Sequence, residues 1–431
     1  MTIPDHHQPH NGAPAPRRDS TSEESDLPLF AKCHKYFRPD GDYARVKAAD
    51  LYPYFRPLEK AEGTTAYIDG REIIMAGSNN YLGFTSHPEV KEAAKRAIDK
   101  YGTGCTGSRF LNGTLDLHLE LEEKLAEFMG KEACVLFSTG YMTNLGLIQG
   151  ITSKDDYIFS DKDNHACIVA GTQITMAETM RYRHNDMDHL QLMLERAHEQ
   201  NPDAGKLIAT DGVFSMSGKI AQVPRLIELA EEFDAALMLD DAHAIGVIGP
   251  GGRGSAHSFG LSDRVHLITG TFSKSFASLG GFAVGDEDVI EFIRHNSSAH
   301  VFSASMPPAN LATVLKSLEI LQKEPERLKR LWEISDYMRQ GFRDLGFDVW
   351  SSETPIIPVV IGDMDLCFQF WNDLLDEGVF VNAVVPPAVP QGQALMRTSY
   401  MATHSDEELD FILNAFRRVG EKHGILERET A

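Results

Sequence analysis

The stretch VHLITGTFSKSFASLGGFAVG, residues 265–285, reads as an apolar strand, a turn of small polar residues and a second apolar strand. Lys274 is the one basic side chain between the two apolar runs. A solvated lysine on a loose loop would give this pattern, and so would a lysine held as a covalent catalyst. Its partners elsewhere in the chain have to decide between them.

Working outward, short apolar runs alternate with amphipathic segments from about residue 65. EACVLF, DYIFS, KLIATDGVF, AALMLD, VHLITG and GFAVG are expected strands. PEVKEAAKRAIDKYG, LHLELEEKLAEFMG and QVPRLIELAEEFD are expected helices between them. In the second helix Leu117, Leu121, Leu125 and Phe128 make one apolar stripe at helical spacing. Strands alternating with helices predict a mostly parallel sheet covered on both faces.

Beyond about residue 310 a smaller lobe is expected, with strands in IIPVVIG, GVFVNAVV and ALMRTSY. Its last helix starts at SDEE, where Ser405 and Glu408 suit a capping box. The segmentation is therefore a tail over 1–26, an arm over 27–64, a large domain over 65–310 and a small domain over 311–431. The tail, rich in Pro, Ser and charge, reads as disordered. Its His6, His7 and His10 read as incidental rather than as metal ligands, and no metal site is expected.

Composition narrows the function. The chain has 431 residues and a formal charge of −22, from 41 Lys and Arg against 63 Asp and Glu. That balance disfavours nucleic acid and, with no basic cluster, gives no membrane-anchoring patch. Five scattered cysteines with no CxxC pair suit a reducing cytosol. No apolar run is long enough to span a bilayer, and no basic-then-apolar leader opens the chain.

Ligands of open α/β sheets bind beyond the carboxyl ends of the strands. Polar residues follow five apolar runs. STGYMTN carries Gly140 and Tyr141, DKDNHA carries His165, and DGVFSMSG carries Asp211 and Ser215. DDAHAIG carries Asp240, Asp241 and His243, and GTFSKS carries Thr271, Ser273 and Lys274. Singly, each has a plain structural explanation. Jointly they meet the needs of pyridoxal phosphate. That cofactor needs a lysine for its Schiff base and a carboxylate at its pyridine nitrogen. It also needs amides and hydroxyls for its phosphate, a planar group on its ring and polar contacts to its phenolic oxygen. Asp241, one residue beyond Asp240, should point to the other face and be structural.

SNNYLGF, YGTGCTGSR, NGTLDLHLELE, FSTGYMTN, DNHACI, DGVFSMSG, DDAHAIG, GTFSKS, FSASMPP and MRTSYMATHS, in this order, resemble the α-oxoamine synthases. The resemblance runs from about 65 to 425. It implies a fold-type I pyridoxal-phosphate transferase, with a large domain on a mostly parallel seven-stranded-type sheet and a smaller α+β C-terminal domain. It implies an acyltransferase that condenses an amino acid with an acyl thioester and loses carbon dioxide.

NGTLDLH, GTFSKSFASLGGF and PPAVP…THSDEE resemble a branch that uses L-serine and a long-chain acyl thioester, carried by coenzyme A or by an acyl carrier protein. By the same resemblance Lys274 is the Schiff-base lysine, Asp240 the partner of the pyridine nitrogen and His165 the histidine stacked on the ring. Ser215 and His243 lie near the phenolic oxygen, and Gly140, Tyr141, Thr271 and Ser273 hold the phosphate. Ser303 reaches the neighbouring subunit's phosphate, which implies a homodimer with shared sites. Arg397 binds the amino-acid carboxylate, and Asn80 lies near it.

The pattern departs at two places. Val385 stands where that branch often has arginine before PPA, and Ser217 stands where SMDG is common. The alternatives are a synthase of the same family using alanine or glycine, and a non-catalytic protein that binds the cofactor. A cytoplasmic location with transient membrane contact completes the expectation.

Overall fold

The computed structural model describes residues 27–426. The tail read at 1–26, with its three histidines, lies outside the described residues. The described residues up to Tyr52 and those from Pro53 onward form separate compact units. In the first, helices Ala31–Tyr36 and Asp42–Ala48 carry the rings of Tyr36, Phe37 and Tyr43, which meet edge to face or tilted.

The second unit carries three sheets. In chain order its strands are β1 (Lys60–Glu62), β2 (Thr65–Ile68), β3 (Arg71–Met75), β4 (Ala133–Phe137), β5 (Tyr157–Asp161), β6 (Glu178–Tyr182) and β7 (Lys206–Asp211). They continue as β8 (Ala236–Asp240), β9 (Leu267–Thr271), β10 (Gly281–Gly285), β11 (Ile356–Gly362), β12 (Val379–Phe380), β13 (Asn382–Val384) and β14 (Ala394–Ser399). The central sheet has seven strands in the order β4-β10-β9-β8-β7-β5-β6. Only β10 runs against the others, pairing antiparallel with both β4 and β9. This is the mostly parallel sheet that the alternation predicts.

Every residue of β5, β7, β9 and β10 is buried, as strands covered by helices on both faces must be. The helix Asp116–Met129 buries Leu121, Leu125 and Phe128 from the predicted stripe, with Leu117 packed at its margin. Ser405 and Glu408 form the predicted capping box, which starts helix Asp406–Lys422.

Two features depart from the simple reading. The edge strand β6, ETMRY, carries no apolar run, and its exposure is mixed. The strands β1–β3 join β12 in one four-stranded sheet, with β12 parallel to β3. Residues of the stretch read as the start of the large domain thus pair with a strand beyond residue 311. The third sheet, β11-β14-β13, is antiparallel. One end of the central sheet gathers the carboxyl ends of β4, β5, β7, β8 and β9 with the start of β10.

Candidate active site

At that end, strand geometry alone brings the polar residues together. Asp211 closes β7 and Asp240 closes β8, and the two are register partners in the parallel ladder. Thr271 closes β9, and Gly281 opens β10 directly opposite it. The helix Gly140–Ile151 begins here, its N-cap Thr139 accepting a hydrogen bond from the Met142 amide. The amides of its first residues have no intrahelical acceptor and aim at the strand ends.

Two glycines permit this approach. A Cβ on Gly140 would lie 2.6 Å from the Thr271 side chain, and one on Gly281 would lie 2.6 Å from the Cα of Gly140. Gly280, at φ +133°, turns the chain back into β10.

A cavity of about 230 Å³ opens among these ends. Gly140, Tyr141, His165, Asp240, His243, Thr271, Ser273 and Lys274 all line it, with Thr139, Cys167 and Asp211. Eight of the twelve residues singled out from sequence therefore share one cavity. The Thr271 and Ser273 hydroxyls lie 2.9 Å apart.

Lys274 keeps part of its surface open to the cavity but sits deep among protein atoms. Burial, with the nearby Arg397 charge, brings its ammonium down to about 8 against the opposing pull of Asp240. Burial and the Asp240 charge push the Asp211 carboxyl well above its ordinary value. His243 is buried and held neutral, first by burial and then by the Lys274 and Arg397 charges. Its Nδ1 lies 2.9 Å from the Tyr81 hydroxyl.

Asp240 is held from both sides. Its Oδ1 accepts from the Ala242 amide at 2.9 Å, and its Oδ2 accepts from Asn144 Nδ2 at 2.5 Å. Asp241 turns away, as the strand period requires, and accepts from the Ser255 amide at 2.8 Å and hydroxyl at 2.5 Å. Burial still pushes it up to about 7.

The other four candidates do not line this cavity. Arg397, in β14, is 4% exposed and gives its Nε to the Ser215 carbonyl at 2.7 Å. Its buried Nη2 has no hydrogen-bond partner among the described residues. Asn80 is buried and donates to Thr85 Oγ1 at 2.8 Å. Ser215 lines an adjoining cavity of about 800 Å³ with Asn164, Phe214, Trp350 and Val389. Ser303 lines a separate small cavity with Arg109, His118 and His300.

The residues present fit pyridoxal phosphate. A partly neutral buried amine, a buried carboxylate held by an amide, and free helix amides beside two hydroxyls occupy one cavity. The orphaned Nη2 of Arg397 adds an anion partner for an amino-acid substrate. Tyr81, Asn144 and Cys167 complete the surroundings. All three stand in the quoted motifs, but no spacing rule shows what their side chains touch.

A family model for aminotransferase class I and II matches residues 71–416. A serine palmitoyltransferase from Sphingobacterium spiritivorum is 49% identical over 374 residues, spanning 87% of this chain and 93% of its own. An 8-amino-7-oxononanoate synthase from Thermosipho melanesiensis is 41% identical over 401 residues, spanning 93% of this chain and all of its own (100%). A solved structure of serine palmitoyltransferase with pyridoxal phosphate superposes with a TM-score of 0.88 at 34% identity, covering 92% of this chain and 99% of that one. The chain belongs to the aminotransferase class I and II family and, within it, to the α-oxoamine synthases, fold-type I pyridoxal-phosphate enzymes.

Proposed function

We propose that the chain is a pyridoxal-phosphate-dependent serine palmitoyltransferase. The reaction joins L-serine to a long-chain acyl thioester, palmitoyl coenzyme A or an acyl carrier protein thioester. It releases 3-ketodihydrosphingosine, carbon dioxide and the free thiol. The observation that carries the reading is the cavity that joins Lys274 to Asp240, with the Arg397 charge acting on Lys274. The identity to the Sphingobacterium enzyme, 49%, favours serine over the alanine or glycine of other synthases.

In this reading Lys274 carries the cofactor and Asp240 holds its pyridine nitrogen protonated. Gly140, Tyr141, Thr271 and Ser273 hold its phosphate, His165 faces its ring, and His243 with Ser215 serves its phenolic oxygen. Pyridoxal phosphate supplies an electron sink for the carbanion formed at the serine α-carbon. Arg397 binds the serine carboxylate through its fork, with Asn80 beside it.

Once the serine amine has displaced it from the cofactor, Lys274 Nζ would be the free amine that removes the α-proton, a task that needs the neutral form its burial favours. Asn144 and the Ala242 amide hold the two oxygens of Asp240 in place. Lys274 returns a proton once carbon dioxide has left.

A homodimer is part of the same proposal. Ser303 lies outside the cavity of its own chain, and its neighbour Phe302 is 85% exposed. A second copy would cover Phe302 and bring Ser303 to the partner's phosphate. A cytoplasmic location is supported by five cysteines that are all free. No helix among the described residues is long and apolar enough to cross a membrane, and contact with one is expected to be transient.

The test is a matrix of serine, alanine and glycine against acyl thioesters of different length, read by thiol release and product mass. Serine with palmitoyl thioester is expected to give the most thiol and the 3-keto amino alcohol. Thiol release with alanine or glycine and none with serine would move the chain to another synthase of its family. No turnover with any pair would favour a non-catalytic cofactor-binding role.

A further inference from the structure

Behind the cavity wall runs a chain of buried hydrogen bonds that the reaction as described does not use. Thr269 Oγ1 donates to Asn144 Oδ1 at 2.9 Å, which fixes which end of that amide is the donor. Asn144 Nδ2 then donates to Asp240 Oδ2 at 2.5 Å and to Cys167 Sγ at 3.0 Å. Cys167 Sγ in turn lies 2.8 Å from His165 Nδ1 and 3.8 Å from Asp240 Oδ2. The Cys167 backbone amide also donates to His165 Nδ1, at 3.2 Å. A donor on Nδ1 favours the tautomer with the imidazole proton of neutral His165 on Nε2, and at 3.2 Å the backbone amide is the longer of the two contacts to that nitrogen.

The thiol is placed to add a second donor to the same nitrogen. It is buried, and burial together with the Asp240 charge pushes its titration far up, so the S–H proton stays on. Among the described residues, Cys167 is the one side chain that hydrogen-bonds both the histidine assigned to the cofactor ring and, across 3.8 Å, the carboxylate assigned to the pyridine nitrogen.

We propose that Cys167 is a positioning residue: its thiol donates to His165 Nδ1 and accepts from Asn144. It thereby couples His165 to Asp240 through one amide and holds the imidazole with its Nε2 proton turned to the cavity. The inference rests on the placement of His165 in the proposed site. Its consequence is a fixed hydrogen-bond donor at the cavity wall, where an imidazole free to rotate or to change tautomer would offer a donor only part of the time.

A buried cysteine also packs well as a small apolar group, and that reading orders the variants the other way. If the thiol acts as donor, Cys167→Ser preserves the arrangement, and Cys167→Ala and Cys167→Val lose it. If it only fills space, alanine and valine are tolerated, and serine, which buries a more polar group, is the worst.

The groups facing His165 are few. Asp211 accepts its backbone amide at 2.7 Å, Asp240 and Lys274 act on it through their charges, His243 nearby is neutral, and Tyr141 packs edge-on with ring centroids 6.5 Å apart. All are unchanged in these variants, so a shift in His165 reports on position 167.

The experiment is nitrogen NMR of histidine-labelled full-length protein, with and without pyridoxal phosphate, His165 being assigned with His165→Gln. Wild type and Cys167→Ser are expected to show the Nε2–H tautomer and a midpoint below the ordinary 6.5. Cys167→Ala and Cys167→Val, left with only the longer backbone donor at 3.2 Å, are expected to admit a fraction of the Nδ1–H tautomer and to move the midpoint up toward the ordinary 6.5. Their kcat/KM for serine should fall about five- to tenfold, the worth of one hydrogen bond. If either apolar variant is too unstable for spectra, denaturant midpoints give the same ranking.

Wild-type tautomer and titration in the apolar variants would overturn the proposal, as would valine surpassing serine in stability. Because the spectra need neither serine nor acyl donor, a wrong substrate assignment would leave this result standing.

Discussion

Two groups of buried charge lie in the body of the protein, and they are built on opposite terms. Around Glu122 opposite charges meet in direct contact, although the buried Nε of Arg294 has no hydrogen-bond partner among the described residues. Arg109 reaches its two oxygens at 2.7 and 3.1 Å, Arg294 adds a contact at 3.1 Å, and the Leu136 amide donates at 3.2 Å. At the ends of β7 and β8, Asp211 and Asp240 stand in register with Lys274 close by, and nothing pairs them one to one. Lys274 is brought down to about 8 and Asp211 is pushed up, while the Nη2 of Arg397 goes without a partner.

Perturbed titration does not by itself separate the two regions. Burial and the Arg109 charge hold His118, beside the Glu122 cluster, at about 3. The difference lies in direct ion pairing, present around Glu122 and missing at the strand ends. A closed ion cluster fixes structure, whereas frustrated charges around an open cavity await a ligand.

The largest expected effects break the two regions in different currencies. Lys274→Ala should leave a folded protein that lacks the visible absorbance of lysine-bound cofactor, with turnover down at least about a thousandfold. Normal turnover would remove the proposed assignment at its centre. Glu122→Ala strands two arginines in a buried site and should cost about 3–5 kcal/mol of stability in urea melts. Whatever fraction remains folded should keep its KM for serine. A large change in KM without a change in stability would show that the two regions are not separate.

Sequence patterning reached the frustrated region more readily than the closed one, for a physical reason. Side chains at the carboxyl ends of parallel strands must converge, so finding the apolar runs is enough to collect Asp240, His165, His243 and Lys274 in one cavity. Local pattern does not encode long-range pairing. The union of β3 with β12 joins segments far apart in the chain, and β6 hides because an edge strand can do without an apolar run. The side-chain partners Tyr81, Asn144 and Cys167 were quoted inside motifs but had no role there, since a hydrogen bond depends on rotamer and not on spacing. Ser215 shows the limit from the other side. Its position after β7 was correct, yet the turn leads it to the adjoining cavity, with its carbonyl on Arg397.

A smaller effect tests whether the strand-end charges are truly frustrated. The amine of Lys274 titrates at about 8 in the fold against 10.5 when unperturbed. Between those values the unfolded chain holds the proton more tightly, so stability of the cofactor-free protein should rise with pH across that window. The penalty is present in full below about pH 8 and relieved toward 10.5, amounting to at most about 3 kcal/mol. The open side of the cavity lowers that figure. Lys274→Met should be more stable than wild type at pH 7 and should lose the rise. Parallel stability curves for the two proteins would place the ammonium in a satisfied environment like that of the Glu122 cluster.

The smallest effect concerns Arg397, which belongs to both kinds of region at once. Its Nε is satisfied by the Ser215 carbonyl, as a structural arginine would be, while its buried Nη2 is not. Arg397→Lys keeps a positive charge but loses the planar fork, so it separates charge from geometry. If the guanidinium binds the serine carboxylate, cofactor should be retained and the KM for serine should rise about tenfold, with Arg397→Ala rising further, toward about a hundredfold. The acyl thioester KM should stay near its original value, since that substrate presents no carboxylate to this group. An unchanged serine titration in both variants would make Arg397 a purely structural residue, and the orphaned Nη2 would then mark no substrate.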